Sequence, residues 1–477
     1  MQSSKREFLK MTAAAAGTAA LGGCAHFRRY SQDNNLPNII MITADDMGGK
    51  DLSCYGNPDI NTRNIDKLAE GGVKFTDAFV VSSSCSPSRA ALITGQYPHT
   101  NGVNALTHLH PLKSLPPFYQ TLPSILKEAG YNTAIMGKWH VSPFLPVAWY
   151  GYQERPTGFA IKEDDWFIDD TKLAIDFLQR NKDNRFYLEM NFVQCHRIKQ
   201  GHFFYDKEFP VDPKKVSVPE YWALPEWDEI REDIAKYYSQ TMKMDKLIGE
   251  VMAELERLGI ADNTLVVFMS DNGAPFPGNK LTLYDRGTLT PIIMHWPKGI
   301  KAGMTIEALA SSIDIMPSLL DALGMDIPKD IQGTSYWPLV TGAKSGEYQE
   351  AVFTEMTTHA GYLPGRAART TEWKYIRNYS NIAVGLDEIH QEEWANRLCE
   401  LPNQPWKRPR VHEELYHLKS DPNEQKNLAE DPGHKADLER MRTLLDEHMR
   451  STRDPYLGHP FTKDYKPVGN YDGKGKQ

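Results

Sequence analysis

No stretch of this sequence stays apolar for long enough to cross a bilayer, and that absence sets a first limit. The nearest candidate, the Ala-rich run before residue 24, is interrupted and falls short of the roughly 20 apolar residues that a spanning helix needs. Cysteine is scarce too. Five of them, at 24, 54, 85, 195 and 399, are too few and too scattered for a disulfide framework in a chain of 477 residues. Positive charge is not in excess: 54 Lys and Arg face 62 Asp and Glu, a net charge of −8 that argues against nonspecific attraction to nucleic acid or to an anionic membrane surface. No nucleic-acid partner is expected, and an anionic substrate would need a local basic pocket. Low-complexity tracts are also missing. With 40% hydrophobic and 24% charged residues, the bulk of the chain is expected to fold.

The N-terminus has a texture of its own. Lys5 and Arg6 precede Phe8 and Leu9, and an Ala-rich run leads to Leu21-Gly22-Gly23-Cys24, the pattern of an export signal. Lys5-Arg6-x-Phe8-Leu9-Lys10 looks like a degenerate twin-arginine signal, and Leu-Gly-Gly-Cys resembles a bacterial lipobox whose Cys24 is lipidated after cleavage. The expectation is a periplasmic or cell-surface lipoprotein of a bacterium, touching a membrane only through this anchor; an ordinary secretory signal with an incidental Cys is the alternative. With Cys24 lipidated and Cys85 modified, three thiols remain, enough for at most one disulfide.

Beyond a polar linker at 25–36, Asn38 to Thr43 is short, β-branched and apolar and stops at Asp45-Asp46, which reads as a buried strand. Helical spacing from Thr121 to Ala129 precedes a strand candidate at Tyr131 to Met136. The same order recurs with Asp170 to Arg180 before Phe186 to Phe192, and with Asp233 to Leu258 before Thr264 to Met269. This alternation predicts an α/β fold, a large, mostly parallel sheet flanked by helices, over 37–345. Length favours a second, smaller domain. Short strand candidates at 351–354 and 374–377 and a charged helix at 435–450 predict an α+β C-terminal subdomain over 346–460, with a Gly- and Lys-rich tail at 461–477. Ligands of open α/β sheets bind beyond strand ends, and every polar cluster follows a strand candidate: Asp45-Asp46, Lys138 with His140, His196, and Asp271-Asn272.

Asp45, Asp46, Asp271 and Asn272 form an all-oxygen set, which favours calcium or magnesium over zinc. Either pair by itself is more often a solvated turn, and so a weak signal. Lys138 and His140, alternating along an extended segment, project to one face and suit a shared anion.

The segment Cys85-Ser86-Pro87-Ser88-Arg89-Ala90-Ala91-Leu92-Ile93-Thr94-Gly95 resembles the full signature of the type I sulfatases. That resemblance implies an alkaline-phosphatase-like fold and oxidation of Cys85 to formylglycine by a dedicated maturation enzyme. One hydroxyl of its hydrate would attack sulfur, and the other would let the sulfate ester collapse by elimination. It also implies one calcium ion held by Asp45, Asp46, Asp271 and Asn272 and touching residue 85, with Asp271 polarising the diol. Arg89, Lys138, His140, His196 and Lys280 would surround the sulfate. His140 would hold or accept the diol proton; His196 and Lys280 are the candidates for protonating or stabilising the leaving group.

The resemblance extends through Thr62 to Ala69, where Arg63 replaces a frequent Pro, and through Glu414 to Pro422. Ser270 to Pro277, Leu283-Tyr284, Cys195-His196-Arg197 and Asp285-Arg286-Gly287-Thr288 resemble the N-sulfoglucosamine sulfohydrolase branch, although Lys280 stands where that branch has arginine. An N-sulfated glucosamine at a chain end is therefore the first substrate expectation. An O-sulfated polysaccharide such as ulvan is the second, and a phosphodiester or phosphonate a more distant one. A lipid-anchored glycan-binding protein without catalysis is the alternative of another class. His99, His108 and His110 either line the rim or are structural, and Trp139, Trp166 and Trp296 either stack on sugar or pack inside.

Overall fold

The computed structural model describes residues 36–155, 170–198, 201–346, 348–359, 361–384, 392–401 and 409–463. The export signal with Cys24, Trp166 and the end of the tail lie outside them. The chain divides into two units, Met1–Leu36 and Pro37–Gln477. Only Leu36 of the first is described, and every described strand and helix belongs to the second.

Seven strands form the main sheet: β1 (Asn38–Ala44), β2 (Val73–Phe75), β3 (Asn132–Gly137), β4 (Phe186–Phe192), β5 (Thr264–Ser270), β6 (Ile292–His295) and β7 (Met304–Ile306). Their order is β3-β4-β1-β5-β6-β2-β7. The first four in that order are parallel; β6 runs antiparallel to both its neighbours, β5 and β2, and β2 pairs parallel with β7. β1, with Ile40 between Leu188 and Val266, is buried along its whole length. A strand covered on both faces needs no polar alternation, which is why Asn38 to Thr43 reads as a continuous apolar run.

Helices connect and cover these strands: α1 (Arg63–Glu70), α2 (Cys85–Thr94), α3 (Leu122–Glu128), α4 (Asp170–Asn181) and α5 (Asp228–Arg257). α3 starts with a reciprocal cap, Thr121 Oγ1 accepting from the Ser124 amide and Ser124 Oγ accepting from the Thr121 amide. α5 begins five residues before the apolar periodicity predicts. Asp228 and Glu229 complement the helix N-terminus, and Ile230 is already in the core. None of the helices among the described residues is long and apolar enough to cross a membrane.

A second, antiparallel sheet contains β8 (Val352–Thr358), β9 (Tyr362–Arg369), β10 (Trp373–Asn378) and β11 (Glu413–His417), in that order. Trp373, Tyr375, Tyr379 and Leu415 pack against Leu438, Met441, Leu445 and Met449 of α6 (Lys435–Ser451). Cys54, Cys85 and Cys195 are free thiols.

Candidate active site

The parallel strands β3, β4, β1 and β5 end at one edge, and each is followed by a polar segment. Backbone hydrogen bonds run on past the strands, from Lys138 N to Asn191 O at 3.2 Å, Asp45 N to Phe192 O at 3.0 Å and Asp271 N to Ala44 O at 3.0 Å, so these segments are held side by side. Gly137, at φ 78°, turns the chain out of β3 in a conformation that glycine adopts without strain. α2 enters the same space with its first residue, Cys85. Every residue of this helix is buried, and Arg89 lies one turn further along the face that carries Cys85.

The side chains form one buried ionic cluster. Lys138 Nζ donates to both oxygens of Asp45, at 2.9 and 2.6 Å. Arg89 donates through Nε to Asp271 at 2.7 Å and reaches Asp45 at 3.4 Å. Lys280 Nζ donates to Asp46 Oδ2 at 2.7 Å, and Asn272 Nδ2 to Asp46 Oδ1 at 2.7 Å. His196 Nε2 stands 3.6 Å from Asp46 Oδ2, and Cys85 Sγ 3.7 Å from Asp46 Oδ1. Asp45, Asp46 and Asp271 are thus matched by Arg89, Lys138 and Lys280, as burial at 0–4% exposure requires. Lys280 is brought in by its neighbour, since Leu281 N donates to Ser83 O at 3.1 Å and to Ser83 Oγ at 3.0 Å, two residues before Cys85. Asp46, His140 and Leu281 all have positive φ, at 64°, 49° and 73°, and such backbone strain gathers where a site dictates geometry.

Burial works to raise Asp45, but Lys138, then His196, Arg89 and Lys280, hold its carboxyl well below the usual range. Burial pushes Asp271 up to about 7 against the pull of Arg89. The Cys85 thiol is driven up by burial in spite of Lys138 and Lys280, and the His140 imidazole is driven down by burial, Lys138 and His108. As it stands, the site favours a thiol and a neutral imidazole.

Part of this cluster could hold a metal ion. Asp45, Asp46, Cys85 and His196 offer ligand atoms within 4.8 Å of one another. Asn272 Oδ1 is buried beside them without a hydrogen-bond partner, an acceptor that a cation would satisfy.

The fold therefore brings together the ten residues singled out from sequence, with His140 joined through Lys138 and hydrogen-bonded to His108. His108 itself is exposed. His99 is elsewhere: its buried ring bonds Glu355 and approaches Asp454 at 3.7 Å, which is a structural role. Trp139 is buried on Tyr150 and Tyr152 and offers no face to sugar, and Trp296, half-buried, stacks on Trp337. Sequence reasoning missed His359, from the turn between β8 and β9, whose Nδ1 lies 2.9 Å from Ser84 Oγ. It also missed Glu189, buried on β4, which accepts from Tyr152, Tyr187 and Asn191. His359 has no motif around it; Glu189 could have been noticed as an acid inside an apolar strand.

Residues 37–325 match the family model for Sulfatase, and residues 278–392 that for the C-terminal region of N-sulphoglucosamine sulphohydrolase. The chain is 30% identical over 438 residues to an ulvan-active sulfatase of Formosa agariphila, covering 89% of this chain and 82% of that protein. It is also 30% identical over 465 residues to human N-sulphoglucosamine sulphohydrolase, covering 89% and 92%. A solved structure of a protein with its substrate D-glucosamine-2-N,6-O-disulfate shares the fold, with a TM-score of 0.66 at 22% identity over 88% of this chain and 99% of that one. With the signature helix, the cation-matched carboxylates and these relatives agreeing, the chain belongs to the sulfatase family, the hydrolases of sulfate esters.

Proposed function

We propose that the protein removes sulfate from a sulfated carbohydrate, with N-sulfated glucosamine of the heparin and heparan type as its substrate. The observation that carries the sulfatase chemistry is the buried cluster in which Arg89, Lys138 and Lys280 surround Cys85 and three carboxylates. The N-sulfate reading rests on the match of residues 278–392 and on the human relative. The equally similar ulvan-active relative favours a second reading, O-sulfate on another polysaccharide.

Calcium, held by Asp45, Asp46, Asp271 and Asn272, would supply a Lewis-acidic contact that stabilises negative charge on the nucleophile and on a sulfate oxygen. Formylglycine, made from Cys85 by a maturation enzyme, would supply through its hydrate a hydroxyl nucleophile that a thiol held above its ordinary pKa does not. The chain's own residues do the rest. Lys138 places an ammonium group on Asp45 and Lys280 another on Asp46, and Arg89 fixes Asp271. His140, neutral at its depressed pKa, accepts a proton from the nucleophilic side. His196 Nδ1–H donates to the carbonyl of Arg197 at 2.5 Å, which leaves Nε2 as the ring nitrogen that exchanges a proton with the leaving atom.

Export and anchoring through Cys24 belong to the same proposal, and a diacylglycerol-bearing Cys24 peptide in the mass spectrum of the mature protein checks them. The test of function is coexpression with a formylglycine-generating enzyme, confirmation of the residue-85 mass, and incubation with N-sulfoglucosamine, O-sulfated glucosamines and sulfated algal oligosaccharides. Sulfate release from N-sulfoglucosamine that disappears in Cys85→Ala is expected. Release only from O-sulfated sugars would keep the chemistry and replace the substrate. No release from confirmed formylglycine enzyme would overturn the reading and make phosphodiesters the next substrates.

A further inference from the structure

One hydrogen bond to His140 is used by none of these roles. His108 is solvent-exposed, yet its Nδ1 lies 2.6 Å from Nε2 of His140. The ring centroids are 4.8 Å apart with the planes tilted by 32°, so neither ring turns freely past the other. The backbone repeats the tie. Thr107 Oγ1 donates to the carbonyl of His140 at 2.8 Å, and Ser86 Oγ is 3.3 Å from both the amide and the hydroxyl of Thr107. His140 is thus held, ring and main chain, by a dipeptide anchored on the residue next to Cys85. Its φ of 49° is one that a residue with a Cβ keeps only when its surroundings impose it. The other ring nitrogen of His140, Nδ1, is buried and has no hydrogen-bond partner among the described residues.

We propose that His108 is a positioning residue that occupies Nε2 of His140 and so reserves Nδ1 as the ring nitrogen exchanging a proton with the reacting group. The proposal rests on the sulfatase reading above for what that group is. A neutral imidazole carries one N–H and one lone pair, so the hydrogen bond at Nε2 decides what Nδ1 can do. In the arrangement that leaves Nδ1 basic, His140 Nε2–H donates to His108 Nδ1, and His108 keeps its own proton on the outward-facing Nε2. Both rings must then be neutral, and their surroundings favour it: partial burial of the ring, then Lys138, His359, His196 and His110, push His108 down to about 4, and burial, Lys138 and His108 push His140 down, against Asp45. The division of labour resembles that of a metal-bound histidine, whose reactive nitrogen is set by the partner of the other one.

Substitution at position 108 separates this role from packing. Asn puts a hydrogen-bonding atom near the position of Nδ1, Gln puts it near Nε2, and Ala supplies none. With formylglycine enzyme and the sulfated sugar that the wild type cleaves, His108→Ala and His108→Gln are expected to lower kcat about 10- to 100-fold with KM within about threefold, while His108→Asn stays within about fivefold of wild type. Nitrogen NMR of histidine-labelled full-length protein reads the His140 tautomer without turnover. The proton should sit on Nε2 in the wild type and in His108→Asn, and be shared between the two nitrogens in His108→Ala. Equal kcat loss in the Asn and Ala variants, an effect confined to KM, or an unchanged His140 tautomer in His108→Ala would each overturn the proposal. If the wild type releases no sulfate at all, the functional reading fails separately, and the NMR result still decides whether His108 sets the tautomer.

Discussion

Replacing Lys138 by Met probes the charge arrangement on which the site depends. The ammonium lies 2.6 and 2.9 Å from the two oxygens of Asp45, and the side chains are 3% and 0% exposed. Met keeps the stem and removes the charge. Asp45 then retains Arg89 at 3.4 Å, a guanidinium already engaged with Asp271 at 2.7 Å. Breaking one side of a buried pair costs about 3–5 kcal/mol, because the remaining ion stays in low dielectric without its partner. Removing both charges together, in Asp45→Asn with Lys138→Met, is expected to return stability to within about 1–2 kcal/mol of wild type. The assay is denaturant unfolding of wild type, both single variants and the double variant in a chelating buffer, so that no divalent ion contributes. Calcium added back should recover part of the Lys138→Met loss, since a divalent charge beside Asp45 replaces the missing one. A single variant destabilised by less than about 1 kcal/mol, or a double variant as unstable as the sum of the singles, would refute the argument.

Three further outcomes are expected. Lys280→Ala, which removes the 2.7 Å donor to Asp46, should lower kcat/KM for a sulfated substrate about 100- to 1,000-fold. Lys280→Arg should keep most of the activity, and steady-state kinetics check both. Chelation should lower the thermal unfolding midpoint of the wild type and calcium should restore it, the stabilisation amounting to about 2.7 kcal/mol at a hundredfold excess over Kd; a midpoint indifferent to both would remove the cation from the site. His448, stacked on Phe353 at 3.8 Å, is pushed down to about 3 by burial and by His99. Its folded value lies below its unfolded one, so stability is lost as pH falls from about 6.5 toward 3, at up to about 1.4 kcal/mol per pH unit from this group. His448→Phe should flatten that limb of the unfolding free energy by one proton, and an unchanged slope would contradict the assignment.

How much of this was legible before the fold was known depended on the range of the interaction. Asp45-Asp46, Lys138 with His140, His196 and Asp271-Asn272 each follow a strand that is apolar because both its faces are buried, and that pattern is local. The signature from Cys85 to Gly95 is one helix ending at a positive-φ glycine, so Cys85 and Arg89 were bound to share a face. The start of α5 was blurred because acidic first-turn residues break the apolar period without breaking the helix.

By itself, then, the sequence determined the mostly parallel α/β core and the placing of polar clusters beyond its strand ends, because strand burial and helix spacing are properties of neighbouring residues. Only the tertiary structure decided which cation meets which carboxylate, since Lys138 and Asp45 are joined by the pairing of β3, β4 and β1. It likewise sent His99 to Glu355 and Asp454, and His108 to His140, although the two histidines stand nine positions apart in one loop-rich stretch. Hydrogen bonds across such distances are selected by packing and by the penalty of leaving a buried charge unpaired, and neither is written in local periodicity.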